Sequence, residues 1–252
     1  MKKLLNATIA LALSVMTLSA ANLSDETLHY KVMFKWGLIN KQAGSATLSV
    51  RNVGDNYHTM LTARSASWAD RFYSVRDTLS GVIQREGFKP LRYENVSHEG
   101  GDFKHDIVTY DYSGSGVKAN CEHNRRKKKE KDLKTQHKEM TSEGIAMDML
   151  SMYYYMRYID YPKMKPDEQK QLHIFSGKRK ELLSIKYRGV QNVKIDGKEH
   201  KCYHISFTFT SDGGKKTSDD MDAWISADSR RIPMKLEGKL PVGKVHCLYT
   251  GS

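Results

Sequence analysis

The chain has 252 residues and a formal net charge of +12 at pH 7, and 39% of its residues are hydrophobic. This length is sufficient to bury a core, so a small scaffold held together only by disulfides is excluded. After residue 21 no apolar run approaches the ~20 residues of a membrane-spanning helix, so we expect the mature chain to be soluble. The excess of positive charge favours partners with anionic surfaces.

The first 21 residues have the pattern of an export signal. Two lysines precede an apolar stretch over residues 4–18, and small residues follow at Ser19 and Ala21. This order is typical of a signal peptide that is cleaved after Ala21. The sequence therefore predicts a signal peptide at residues 1–21, a mature chain that starts near Asn22 and a periplasmic location. The alternative is an N-terminal anchor that is not cleaved.

The next part of the chain has the pattern of a meander of short strands. Apolar and polar residues alternate, and β-branched and aromatic residues are frequent. Turn residues such as those of Gly54–Asp55 separate the segments. The predicted strands are Thr27–Trp36, Gly44–Val50, Asn56–Ala63, Val75–Gln84, Arg92–Ser97 and His105–Tyr112. Their spacing predicts an antiparallel sheet.

Residues 121–141 are almost entirely polar and contain a concentrated basic run. Arg125, Arg126, Lys127, Lys128 and Lys129 form its centre. The composition predicts a basic loop or a long solvated hairpin tip. One interpretation is a solvated segment without a function. The other is a contact with an anionic membrane surface, to which each Lys or Arg contributes ~1 kcal/mol.

One helix is predicted, from residue 142 to residue 159. Thr141 or Ser142 can cap its first amides, and Glu143 places a negative charge in its first turn. Its apolar residues cover nearly the whole circumference, which is typical of a helix that is buried on almost all sides. A curved sheet that wraps around the helix is the simplest way to bury it.

Strand patterns return after Lys165 and continue to the C-terminus. The predicted strands are Leu172–Phe175, Glu181–Tyr187, Gln191–Ile195, His200–Thr210, Asp222–Ser226, Ile232–Glu237 and Gly243–Tyr249. The order of strands, one helix and more strands lacks βαβ alternation, which argues against a Rossmann or barrel enzyme. The sequence therefore predicts a single, mainly β domain over residues 22–252.

The sequence contains no recognisable catalytic or cofactor motif. It has no GxSxG, no HExxH and no phosphate-binding glycine loop, so no catalytic residue, metal site or cofactor is predicted. The three cysteines, Cys121, Cys202 and Cys247, leave at least one thiol unpaired in a monomer. Cys202 and Cys247 both lie on predicted strands. They either form one cross-strand disulfide or remain buried thiols.

Several aromatic and charged residues are candidates for binding a ligand. Tyr153, Tyr154, Asp148 and Arg157 lie on the predicted helix, and Trp224 lies on a predicted strand. An apolar pocket uses a few polar groups to orient its ligand, and a groove between helix and sheet could use these residues in that way. The alternative is structural, with the aromatic residues packed in the core and the acid and arginine in ion pairs.

The order of several segments resembles a known family. The segments are WGLINKQAGSATLSV at 36–50, RFYSVRDTLSGVI at 71–83, MDMLSMYYYMRYIDYP at 147–162 and DAWISADSRRIPMKLEGKLPVGKVHCLY at 222–249. This order is similar to the bacterial exported family catalogued as domain of unknown function 3108. The resemblance implies an envelope protein that forms a curved or incomplete antiparallel barrel, like a spiral β-roll, around one helix. It implies a shape similar to periplasmic lipoprotein carriers and no established activity.

The sequence and the resemblance together predict a monomeric, non-catalytic exported protein. We expect a binding or carrier-like module for a hydrophobic or amphipathic envelope component, such as a lipid or a glycan. The alternative is an envelope-assembly or structural accessory protein that binds another protein without a small ligand. No nucleic acid is expected as a partner, because the export signal directs the chain away from the genome.

Overall fold

β-strands form most of the structure, a computed structural model that describes residues 23–211 and 217–252. The predicted signal peptide at residues 1–21 lies outside the described residues and stays a prediction. Within the described residues, no helix has the length and the apolar character that crossing a membrane requires.

Fifteen strands and two short α-helices are present in the described chain. The strands are β1 (Glu26–Trp36), β2 (Ile39–Val53), β3 (Asn56–Ser65), β4 (Val75–Gln84), β5 (Lys89–Glu99), β6 (Asp102–Asp111), β7 (Val117–Arg126), β8 (Lys134–Ser142), β9 (Ala146–Met147), β10 (Gln169–Phe175), β11 (Lys180–Ile195), β12 (Lys198–Ser211), β13 (Met221–Ser226), β14 (Pro233–Lys239) and β15 (Lys244–Gly251). The helices are α1 (Ser67–Asp70) and α2 (Ser151–Tyr158).

All fifteen strands belong to one sheet that curves into a nearly closed barrel. Within β1–β8 and within β9–β15, consecutive strands pair with each other. β15 pairs with β1 and so joins the two groups. The sheet ends at β8 on one side and at the two-residue β9 on the other, so one seam remains. The predicted mainly β barrel around one central helix is confirmed.

The central helix is much shorter than predicted. The sequence predicted a helix over 142–159, but α2 begins at Ser151 and the preceding segment contains the end of β8 and the strand β9. Asp148 explains this start. Its carboxylate accepts hydrogen bonds from the backbone N–H groups of Leu150 at 2.9 Å and Ser151 at 2.7 Å. A side chain that satisfies free amide groups in this way begins a helix.

The basic segment at 121–141 is mostly strand rather than loop. β7 and β8 form a hairpin, and only residues 127–133 connect them. The prediction of a loop over the whole segment is therefore wrong, and the alternative of a long hairpin tip describes the structure. The strand β8 was missed because its residues are polar and, apart from Met140, largely exposed.

The proposed disulfide between Cys202 and Cys247 is absent. Cys202 lies on β12 and Cys247 on β15, and the strands β13 and β14 separate them in the sheet. Cys121, Cys202 and Cys247 are all free thiols. Burial raises the pKa of each of the three thiols to about 11, so they are protonated at neutral pH.

Candidate functional site: the mouth of the barrel

The connections between strands lie at two opposite rims of the barrel, because consecutive strands run antiparallel. One rim, here called the open rim, carries the described turns at 37–38, 66–74, 100–101, 127–133, 176–179 and 240–243. The opposite rim carries the turns at 54–55, 85–88, 112–116, 143–145, 196–197 and 227–232. The inward-facing side chains are buried to different extents near the two rims.

Inward-facing apolar side chains become more accessible towards the open rim. Leu61 on β3 lies two residues beyond the buried Thr59, and Met221 on β13 lies two residues from the buried Ala223. Because side chains on a strand alternate between its faces, residues two positions apart face the same side. The half-buried inward set, here called the mouth, comprises Ala46, Leu61, Leu79, Phe209, Met221 and Leu236.

The helix α2 closes the barrel below the mouth. Tyr154 is buried, and its hydroxyl donates a hydrogen bond to the Ser49 carbonyl on β2 at 2.7 Å. Tyr153 is half-buried, and burial raises its pKa to about 12, with a smaller contribution from the Cys247 thiol on β15. The mouth is therefore a half-buried apolar band on the inner wall of the barrel.

One side of the mouth is polar. Asp77 faces inward on β4, two residues beyond Leu79, and its Oδ1 atom has no hydrogen-bond partner in the described structure. Burial raises the pKa of Asp77 to about 6, and the adjacent Ser97 hydroxyl on β5 opposes this shift. An accessible apolar band beside a carboxyl group is the combination that an amphipathic ligand requires.

A buried polar cluster lies deeper on the same side of the barrel. Asp106 on β6 is hydrogen-bonded to the Nδ1 atom of His123 on β7, and the Asn95 amide donates to Asp106 at 3.5 Å. The backbone at Gly177 packs directly on Asp106, since a Cβ atom there would lie 2.6 Å from the Asp106 Cβ atom. This cluster ties the β10–β11 turn to the opposite side of the seam. This cluster is not predictable from the sequence alone, because only the strand register brings these residues together.

The predicted ligand-binding residues lie on two different faces of the sheet. Asp148, Tyr153, Tyr154 and Arg157 are inside the barrel. Trp224 is on the outer wall, where its ring stacks on His204 at 4.6 Å and the Lys235 ammonium group lies 4.2 Å from the ring centre. A ligand inside the barrel therefore cannot contact Trp224 together with the other four side chains. Their role in binding stays a prediction.

Two of these residues have structural partners. Arg157 is ion-paired with Glu26 on β1 and donates a hydrogen bond to the Arg230 carbonyl at 2.7 Å. Burial raises the pKa of Asp148 to about 6, and its hydrogen bonds to Ser151 and Leu150 partly offset this shift. The expected pairing of Arg157 with a buried acid is therefore observed, with Glu26 as its partner.

The basic run lies at the open rim. Arg125 and Arg126 end β7, and Lys127, Lys128 and Lys129 lie in the following turn. Arg125 pairs with Asp102 at 3.2 Å, while the three lysines are exposed. The mouth and the predicted anionic-surface residues are thus at the same end of the barrel, which could not be inferred without the strand order.

Comparisons with known proteins agree with the fold. Among curated proteins none matches the chain. The crystal structure of a beta-barrel-like protein of domain of unknown function DUF1849 from Brucella abortus is similar, with a TM-score of 0.59 at 9% sequence identity. The match covers 91% of this chain and 97% of the other, and it shows a shared fold. The sequence profile described as "Protein of unknown function (DUF3108)" matches residues 28–247, so the chain belongs to that family.

Proposed function

We propose that this chain is an exported, non-catalytic binding module for a hydrophobic or amphipathic component of the cell envelope. The observation that carries this proposal is the half-buried apolar band of the mouth, which adjoins the buried hydrophobic core. Apolar side chains that stay in contact with water are less favourable than buried ones. An apolar ligand in the mouth would remove them from water. The proposal places the ligand above α2, with Tyr153 as its floor.

The polar side of the mouth supports an amphipathic rather than a purely apolar ligand. The Oδ1 atom of Asp77 is buried without a hydrogen-bond partner among the described residues, and a buried oxygen without a partner costs free energy. A hydroxyl or amine group on the ligand would satisfy it. The second candidate function is an assembly factor that binds another protein, and its supporting observation is the set of exposed apolar side chains outside the barrel.

Export is the first testable part of the proposal. We expect the full-length chain, expressed in a Gram-negative host, to yield protein that starts near Asn22 in the periplasmic fraction. Small residues at Ser19 and Ala21 support cleavage there. Mass analysis of the purified protein gives the N-terminus. Recovery of intact Met1 from a washed membrane pellet would contradict both the cleavage and the location.

A leucine at Gly238 should fill the mouth and displace its ligand. A Cβ atom at Gly238 would lie 3.7 Å from Met221 Cγ and 3.8 Å from Val245 Cγ1, so a side chain fits there at ordinary contact distances. We expect Gly238→Leu to weaken binding of the apolar dye Nile red by about tenfold, because inserting a side chain into an occupied site typically costs ~1–3 kcal/mol. Fluorescence titration measures the affinity, and native mass spectrometry measures lipid retained during purification.

The matched control adds the same side chain to the outer wall. Thr62 is exposed on the outer face of β3, so Thr62→Leu should leave dye binding and lipid retention unchanged. Denaturation in urea verifies that both variants remain folded. Equal dye affinities for wild type and Gly238→Leu would refute the mouth as the binding site. Failure of every form to bind dye or retain lipid would favour the assembly factor.

A further inference from the structure

Two neighbouring turns at the open rim expose large apolar side chains. β1 and β15 are adjacent in the sheet, with Lys35 opposite Lys244, so the turns at 37–38 and 240–243 lie side by side. A Cβ atom at Gly243 would lie 3.0 Å from Trp36 Cβ, which shows how closely the two turns pack. Trp36 is 56% exposed and Leu38 is fully exposed at 105%. Ile39, Leu240 and Val242 are also exposed.

The next turn along the rim continues this apolar surface. Phe72 is 82% exposed, and its ring lies 6.4 Å from that of Trp68 in an edge-to-face arrangement. The indole N–H of Trp68 donates to the Gln42 carbonyl on β2 at 2.7 Å, which fixes the turn against its neighbour. The apolar arc is defined here as Trp36, Leu38, Ile39, Phe72, Tyr73, Leu240 and Val242. Its members lie on three consecutive turns of one rim.

Two further turns of the same rim are strongly basic, whereas residues 217–220 carry the exposed acids Asp219 and Asp220. The basic arc is defined as Lys127, Lys128, Lys129, Lys131, Lys178 and Arg179, and all six are exposed on the turns at 127–133 and 176–179. Glu130 pairs with Lys134 at 2.7 Å, and Asp102 pairs with Arg125 at 3.2 Å. Arg179 pairs with Glu181 on β11 at 3.1 Å. The six residues of the basic arc outnumber the two acids of these turns, Glu130 and Asp132, so the turns keep a net positive charge.

We propose that the open rim docks on an anionic phospholipid bilayer, with the mouth facing the lipid. The apolar arc would enter the boundary between headgroups and acyl chains, where tryptophan and other amphipathic or apolar side chains are favoured. The basic arc would lie against the anionic headgroups. Charge complementarity and the placement of both arcs on one rim distinguish this partner from a neutral protein surface.

One part of this docking proposal, the passage of a ligand from the membrane into the mouth, rests on the proposed function. With the open rim on the bilayer, an amphipathic molecule passes between the membrane and the mouth without crossing water. The bilayer contact itself depends on the two arcs and not on a ligand. The two proposals can therefore fail separately.

Vesicle flotation with three forms of the mature protein tests the docking. The vesicles contain phosphatidylcholine and phosphatidylglycerol in a ratio of three to one, and pure phosphatidylcholine vesicles serve for comparison. Replacing Lys127, Lys128 and Lys129 together by Ser should weaken binding to anionic vesicles about a hundredfold, at about fivefold per lysine. Replacing Leu38 and Val242 together by Ser should weaken it about tenfold. Added salt should release the wild-type protein.

Control variants make substitutions of the same types in the opposite part of the barrel. Replacing Lys163, Lys165 and Lys198 by Ser removes three exposed charges near the opposite rim, and Val53→Ser removes an exposed apolar side chain there. We expect both controls to bind anionic vesicles like the wild type. Losses in the controls equal to those in the rim variants would overturn the docking proposal.

The remaining outcomes separate docking from ligand binding. Equal flotation of the wild type on anionic and neutral vesicles, with no effect of the lysine replacements, would overturn the anionic-bilayer proposal. If Nile red binding still responded to Gly238→Leu, the proposed function would stand without it. Conversely, flotation that depends on both arcs while Gly238→Leu has no effect would support docking and refute the ligand site.

Discussion

Arg157→Met is expected to lower the free energy of unfolding by about 3–5 kcal/mol, because removal of one member of a buried ion pair leaves the other charge uncompensated. The Arg157 side chain is only 4% exposed, and its partner Glu26 is buried nearly as well. Arg157 also donates a hydrogen bond to the Arg230 carbonyl in the loop between β13 and β14. It therefore connects α2 to two different parts of the barrel wall.

Urea denaturation of the wild type and the variant measures this loss, provided that the slope of free energy against denaturant is unchanged. Arg230→Met is the control. Arg230 approaches the same Glu26 carboxylate at 3.7 Å, but its side chain is about half exposed, so its removal should cost no more than ~1 kcal/mol. Equal losses for the two variants would show that the pair with Arg157 has no special role.

Leu150→Ala is expected to cost about 2–5 kcal/mol, as is typical when a buried leucine is truncated and a cavity remains. Leu150 is completely buried at the start of α2. Its Cδ2 atom lies 3.7 Å from the position that a Cβ atom at Gly81 would occupy, so its side chain reaches the β4 wall. Truncation therefore removes a contact between the helix and the sheet.

The control for this variant is Leu133→Ala in the exposed turn between β7 and β8. It removes the same atoms from a solvated site and should change stability by no more than about 0.5 kcal/mol. The unfolding free energies of both variants are compared in urea. A loss at Leu150 as small as that at Leu133 would mean that α2 is peripheral to the fold.

The strands were predictable where one face is buried and the other is not. The predicted strand Val75–Gln84 has the same bounds in the structure, because its inward residues alternate with accessible ones. The strand β8 has almost no buried face and so lacks that signal. The start of α2 depends on the Asp148 side chain, and an apolar pattern cannot distinguish the buried strand β9 from a turn of helix.

The candidate site was less predictable, because it depends on which strands become neighbours. The sequence identified the residues of α2 and the basic run, but the position of the basic run at the same rim as the mouth follows from the strand order. Trp224 was predicted to bind a ligand together with residues of the helix. It lies on the outer wall instead, because its neighbours on the strand, Ala223 and Ile225, face the interior. The exposed Leu38 and Val242 can be recognised in the sequence, because apolar residues are unusual in tight turns.

The seam has a consequence for what the barrel can hold. In a fully hydrogen-bonded barrel, strand number and stagger determine the diameter. Here β8 does not pair with β9 or β10, and contacts across the gap include one from Ser142 Oγ to His173 Nδ1 at 2.6 Å and one from Lys180 Nζ to the Thr141 carbonyl at 3.3 Å. A perimeter joined there by side chains can widen without breaking a backbone ladder. Under the proposed function, such widening would let the interior take ligands of different sizes. The lysines along the free edge of β8 discourage another strand from adding to it.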